Sequence, residues 1–252
     1  MSKTSSIRIL FWNIWHGGGN RAGRIVDQVL EWSPDIIALA EFRGTQPSKS
    51  IAKHLFDSGY EHQLSTVNPD EAVWNALFLA SRYELSNVDV RGAPETDLYW
   101  LLAKVQTDPA LHIGVIHVPL EKYLPGFWLE YRKSLLNIAR DWKLGPSLFV
   151  GDMNSAISGL DEETEYSQGY KESFMNPLES LGWRDIFRAY HPAADAPTWV
   201  SRIGRGFRLD QAFVNDELQT HVRSCDYDWG CVGERGKASD HAALLLDLNL
   251  PG

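Results

Sequence analysis

Residues 36–41 read IIALAE, an apolar run that stops abruptly on a carboxylate. A segment this short and this uniformly apolar fits a strand covered on both faces rather than one with a wet side. It follows residues 21–32, where Ile25, Val26, Val29 and Leu30 fall at helical spacing before Ser33-Pro34 ends the helix. With the strand pattern of residues 7–13 in front, the chain opens strand, helix, strand. Further strands are predicted at 76–80, 99–106, 112–117, 148–151, 209–214 and 242–248, and helices at 49–57, 128–142 and 172–181. Strands greatly outnumber helices, a pattern that predicts two packed sheets with helices over their outer faces. The segment HVPLEKYLPG and residues 155–169 read as surface loops.

The apolar runs recur from Ile7 to Leu250 with no low-complexity tract or linker, so one domain spanning residues 1–252 is expected. The opening MSKTSS lacks the basic start and apolar stretch of a signal peptide, which predicts a cytosolic protein. No apolar run approaches the roughly 18 residues of a membrane span, so no membrane partner is expected. Cys225 and Cys231 match no zinc spacing and are expected to be reduced thiols. The net charge of -9 argues against tight nonspecific coating of a polyanion. It leaves room for weak, salt-sensitive binding if part of the acid lines a divalent-metal site.

The polar residues that interrupt the apolar pattern cluster at strand ends, where loops can gather them. Asn13 ends the first strand, where an amide either binds a metal or phosphate oxygen or satisfies a turn. Glu41 is a hard oxygen ligand of the kind magnesium takes, or an ion-paired residue at a strand tip. His117 ends HIGVIH and can donate to a phosphate oxygen; a satisfied buried histidine is the plainer reading. In LFVGDMN, Asp152 and Asn154 face the same side of an extended segment, one placed to orient water and the other to hold phosphate, unless they form only an Asx turn. Asp210 in FRLDQAFV and His241 in Ser239-Asp240-His241 supply a carboxylate and an imidazole that such a carboxylate would orient and keep protonated.

Taken in order, Asn13, Glu41, His117, GDMN, RLDQAF and SDH resemble the endonuclease/exonuclease/phosphatase superfamily, which includes exonuclease III-like abasic-site endonucleases, deoxyribonuclease I, inositol polyphosphate 5-phosphatases and tyrosyl-DNA phosphodiesterases. The resemblance covers about residues 7–248. It implies an α/β fold, a four-layered α/β/β/α sandwich with two mixed sheets between helices. It makes Glu41 the principal Mg2+ ligand, with Asn13 beside it and Asp240 near the metal, and Mn2+ a substitute. Asp152 would position or deprotonate the attacking water. Asn154, His117 and His241 would bind the scissile phosphate, with His241 oriented by Asp210. The activity implied is magnesium-dependent phosphodiester hydrolysis, with DNA as the partner.

Two departures bear on substrate. Trp15 stands where abasic endonucleases of the family often carry an acid, which favours one essential magnesium. His117 stands where the exonuclease III-like branch often has tyrosine, which favours the deoxyribonuclease and phosphatase branches. A soluble phosphatase acting on a small or lipid-derived phosphate, or a tyrosyl-DNA phosphodiesterase-like enzyme, is the alternative. Trp199 with Arg202, Arg205 and Arg208 is expected to bind substrate by stacking and phosphate clamping, or to form a solvated basic loop beside a core tryptophan. HGGGNR reads either as a phosphate-cradling loop or as a connector. Among the ten tryptophans, Trp15, Trp100, Trp128 and Trp229 fall near strand ends where they can wall a cleft. Paired acids at Glu162 and Glu163 are read as a solvated loop rather than as a glycosidase pair.

Overall fold

Strands apolar on both faces need cover on both, and the chain supplies it in layers. The computed structural model describes residues 4–93, 97–120, 126–142, 144–157, 159–161, 175–230 and 238–251. The strands are Thr4–Asn13 (β1), Ile36–Phe42 (β2), His62–Ser65 (β3), Ala76–Ser81 (β4), Leu85–Asn87 (β5), Trp100–Val105 (β6) and Leu111–His117 (β7). They continue with Ser147–Asp152 (β8), Arg184–Asp185 (β9), Trp199–Val200 (β10), Gly206–Phe207 (β11), Asp210–Val214 (β12), Val222–Asp228 (β13) and Ala243–Pro251 (β14). The helices are Ala22–Trp32 (α1), Gln46–Asp57 (α2), Phe127–Asp141 (α3), Met175–Ser180 (α4), Ile186–Tyr190 (α5) and Asp216–Gln219 (α6).

Two six-stranded sheets face each other, in the orders β13-β14-β1-β2-β4-β3 and β5-β6-β7-β8-β12-β9. Each is mixed, with one parallel pair near its middle, β1/β2 in the first and β7/β8 in the second. A parallel pair needs a long crossover, and α1 and α3 provide the two. Side-chain alternation along the strands then builds three apolar layers. Ile7, Ile9 and Phe11 of β1 meet Ile113, Val115, Leu148 and Val150 between the sheets. Leu10 and Trp12 turn the other way, onto Ile25 and Val29 of α1 and Ile51 and Leu55 of α2. Ile116 and Phe149 pack against Tyr131, Leu135 and Ile138 of α3. This is the expected four-layered α/β/β/α sandwich. Among the described residues no helix is long and apolar enough to cross a membrane.

Each predicted strand and helix is present within a few residues of its expected place. β3, β5, β9, β10, β11 and β13 were not anticipated. β13 buries only Val222 and Cys225 along a mostly polar stretch, so an edge strand with one wet face leaves a weak signal. Cys225 is a free buried thiol. Cys231, Glu162, Glu163 and the side chain of Trp128 lie outside the described residues.

The expectation for Arg208 is corrected. Its guanidinium is buried between two acids, with Nε 2.6 Å from Asp161 Oδ1 and Nη2 2.6 Å from Asp185 Oδ2. Arg188 also donates to Asp161. A guanidinium enclosed by two carboxylates has no donors to offer a substrate. The network instead joins the 161 turn, β9 and the start of β12. Arg208→Met leaves buried carboxylate charge uncompensated and is expected to cost about 3–5 kcal/mol of stability; a urea unfolding midpoint within error of wild type would show that the network stabilises nothing.

Candidate active site

Each parallel pair ends its strands at the same edge of the sandwich, the edge where ligands bind in open α/β sheets. β1 pairs with β2 up to Asn13 opposite Ala40, and Glu41 follows. β7 pairs with β8 so that His117 lies opposite Asp152, and antiparallel β12 sets Asp210 opposite Asp152 on its other side. Gly151 allows β8 to lie this close to β7, since a Cβ there would stand 1.9 Å from the Ile116 carbonyl oxygen. The GD of GDMN is therefore a packing requirement followed by an acid at the strand end.

The Asp152 carboxylate is the meeting point. Its Oδ2 accepts from Asn13 Nδ2 at 3.0 Å and lies 3.8 Å from His117 Nε2 and 4.0 Å from His241 Nε2. Its Oδ1 accepts from the Asn154 backbone N–H at 3.0 Å, so the Asx turn is present. The Asn154 side chain donates to the Val118 carbonyl and lines the cleft, so the turn holds the amide in place there. The His117 ring stands edge-on to Tyr99, with centroids 5.7 Å apart.

His241 and Asp210 form a buried pair, Nδ1 to Oδ2 at 2.8 Å. Burial works against the charged ring, but the adjoining Asp210 carboxylate, with Asp152 and Asp240 beyond it, outweighs this and pushes the His241 pKa up to about 10. Burial raises the Asp210 carboxyl too, opposed by the imidazolium. The proton stays on the ring, with Nε2–H turned toward Asp152. Thr198 Oγ1 accepts the backbone N–H of Asp210, and Ser239 Oγ accepts that of His241 and donates to the Asn13 carbonyl, which ties the closing loop to β1.

Glu41 is held by an unusual loop. Five consecutive residues, Trp15 to Gly19, have positive φ, two of them not glycine. The left-handed run turns His16 N–H onto Glu41 Oε2 at 2.7 Å and Gly17 N–H onto the Glu41 carbonyl at 2.7 Å. HGGGNR thus wraps a carboxylate of its own chain. Burial works to raise the Glu41 pKa, but the His16 hydrogen bond and the charges of His117 and His16 hold the carboxyl well below its usual range. It is ionised throughout the neutral range.

A divalent cation suits this donor set. One ligand atom each from Asp152, Asp210 and His241 lie within 4.8 Å of one another. Within that group Asp210 and His241 bond to each other, so the oxygens open to the cleft are those of Glu41, Asp152 and Asp240. Among the described residues Asp240 Oδ1 is buried without a hydrogen-bond partner, while Oδ2 accepts from Trp199 Nε1, an arrangement that a cation would complete. The Asn13 side chain lies beside Glu41 as expected: its Oδ1 accepts the Trp15 N–H, and its Nδ2 bridges Glu41 and Asp152.

A family model for the Endonuclease/Exonuclease/phosphatase family matches residues 10–241. The chain belongs to that family. It is a metal-dependent phosphoesterase in fold and in site. Similar solved structures include a 3'-5' exonuclease (NExo) from Neisseria meningitidis, with TM-score 0.81 and 19% identity, covering 96% of this chain and 99% of that one. An AP endonuclease from Archaeoglobus fulgidus has TM-score 0.77 and 20% identity, covering 95% and 98%. An AP endonuclease, LMAP, from Leishmania major has TM-score 0.75 and 15% identity, covering 100% and 92%. No curated protein sequence matches the chain significantly.

The family site opens into a cleft of about 950 Å³. Of the residues expected to bind substrate, Trp199 and Arg202 line it; Arg205, in the same hairpin, does not, and Arg208 is buried as described. Trp15 lines the cleft, whereas Trp100 is a core residue and Trp229 lies elsewhere. Arg43, Val73, Trp74 and Tyr99 also line it and were missed, because each lies outside the motifs, and His16, in the HGGGNR loop, lines it as well. Asp210→Asn removes the largest contribution that opposes burial of the His241 charge, so the ring pKa is expected to fall from about 10 to near or below its ordinary value. NMR titration of the imidazole in chelator reads this, and an unchanged value would show that Asp210 does not hold the proton on His241.

Proposed function

We propose that the protein is a magnesium-dependent phosphodiesterase that cleaves DNA by direct attack of water on phosphorus. The observation that carries this reading is the convergence on Asp152 of His117, His241 and Asn13 at the floor of an open cleft, with Glu41 sharing the Asn13 amide. A phosphate seated there would meet donors on one side and a proton acceptor on the other. The nucleic-acid partner is supported by the cleft's size and aromatic lining. The Neisseria exonuclease, and a 3' phosphatase NExo variant from Neisseria bound to product DNA hairpin, share its fold.

Asp152 accepts the hydrogen bond, and then the proton, of the attacking water. The ring nitrogens of His117 and the imidazolium His241, with the Asn154 amide, stabilise charge that grows on the nonbridging oxygens. Asp210 keeps His241 protonated and fixed in orientation. Asn13 holds Glu41 and Asp152 in register. A magnesium ion held by Glu41 with Asp240 would neutralise phosphate charge and lower the barrier to attack. The new P–O bond forms as the bond to the leaving oxygen breaks, and no side chain is covalently modified.

Labelled DNA should be cut in magnesium and left intact in excess chelator. Asp152→Asn is expected to lower kcat by about 10²–10⁴-fold, the span typical of a lost general base, with an unchanged melting temperature. Turnover in chelator, or near-normal turnover by the variant, would overturn the mechanism. Release of inorganic phosphate from inositol phosphates with DNA untouched would assign the enzyme to small phosphate esters instead.

A further inference from the structure

Most tryptophans whose side chains are described are buried or half-buried, and the two left exposed, Trp15 at 41% and Trp74 at 47%, both line the catalytic cleft. Exposed indoles are uncommon, and two at one mouth need a reason. They come from separate loops, the left-handed turn after β1 and the segment before β4, and the Arg43 side chain lies between those loops. Arg43 donates through Nε to Asn75 Oδ1 at 2.7 Å, while its Nη2 lies 2.8 Å from His16 Nδ1, the nitrogen that also stands 2.9 Å from Glu41 Oε2. Asn75 and His16 are the immediate neighbours of the two indoles. Trp15 is held further: the Arg21 guanidinium lies 4.6 Å from the ring centroid, and Arg21 also donates to the Trp15 carbonyl. A non-glycine residue at φ 53 carries backbone strain, which here presents an aromatic ring to solvent beside Glu41.

The charge around the indoles narrows what they can bind. Among the described lining residues there is no lysine, the arginines are Arg43 and Arg202, and Arg43 donates to Asn75. A duplex tracked along both backbones wants a row of cations, and the described lining does not provide one. Aromatic faces beside a phosphate site are the means of gripping unpaired bases, since every base has a face to stack.

We propose that Trp15 and Trp74 form a stacking platform for unpaired bases flanking the scissile phosphate, so that the enzyme acts on single-stranded or frayed DNA in preference to a closed duplex. This deepens the phosphodiesterase reading and rests on it. The test compares kcat/KM on a labelled single strand and on a hairpin duplex of the same sequence, in magnesium, for wild type, Trp15→Ala, Trp74→Ala and Trp74→Phe. Wild type should favour the single strand by roughly tenfold or more. Each alanine variant should lose roughly tenfold on the single strand and much less on the duplex, while Trp74→Phe keeps most of the preference. Equal or faster cleavage of the duplex by wild type, or a preference intact in both alanine variants, would overturn the platform and leave the phosphodiesterase reading standing. No cleavage of either DNA form would overturn both.

Discussion

The site depends on one side-chain amide that spans the two sheets. Asn13 Nδ2 donates to Glu41 at 3.3 Å within the first sheet and to Asp152 at 3.0 Å in the second. Both carboxylates are thereby fixed relative to each other, although they come from strands more than a hundred residues apart. Two anions placed this close repel each other, and a neutral donor between them relieves part of that cost without cancelling the charge a cation needs. The backbone of the same residue receives Ser239 Oγ, so the last loop is positioned from this point too.

Much of this was legible in the chain. IIALAEF is apolar at nearly every position because both faces of β2 are buried, and its closing acid stands out for that reason. His117, Asp152, Asp210 and His241 were readable because each terminates or adjoins an apolar strand, and strand pairing puts His117 and Asp210 directly opposite Asp152. Arg208 was misread because an arginine among arginines looks like a basic surface, and nothing local announces that Asp161 and Asp185, distant in sequence, enclose it. Trp74 and Arg43 were missed for a related reason. They lie in loops without periodicity, and their place in the cleft follows from tertiary contacts alone.

The same geometry separates residues that face the cleft from residues that hold them in place. Asp152, His117, His241 and Asn154 face the cleft. Asp210, Asn13, Thr198 and Ser239 are buried behind them and spend their polar atoms on the positions of others. The left-handed turn at residues 15–19 belongs to both sets, since its amides restrain Glu41 while its first side chain forms part of the wall.

The path of the chain has a consequence for when the protein becomes competent. The first sheet starts with β1 to β4, is left while β5 to β9 and β12 build the second and β10 and β11 pair as a separate hairpin, and is rejoined by β13 and β14, with β14 lying between β13 and β1. His241 arrives immediately before β14, within the last dozen residues. A chain still emerging from the ribosome therefore lacks both the neighbour that covers the open edge of β1 and the imidazole that completes the site. Synthesis from the N-terminus leaves the cluster around Asp152 incomplete until His241 and the β14 that follows it have been made.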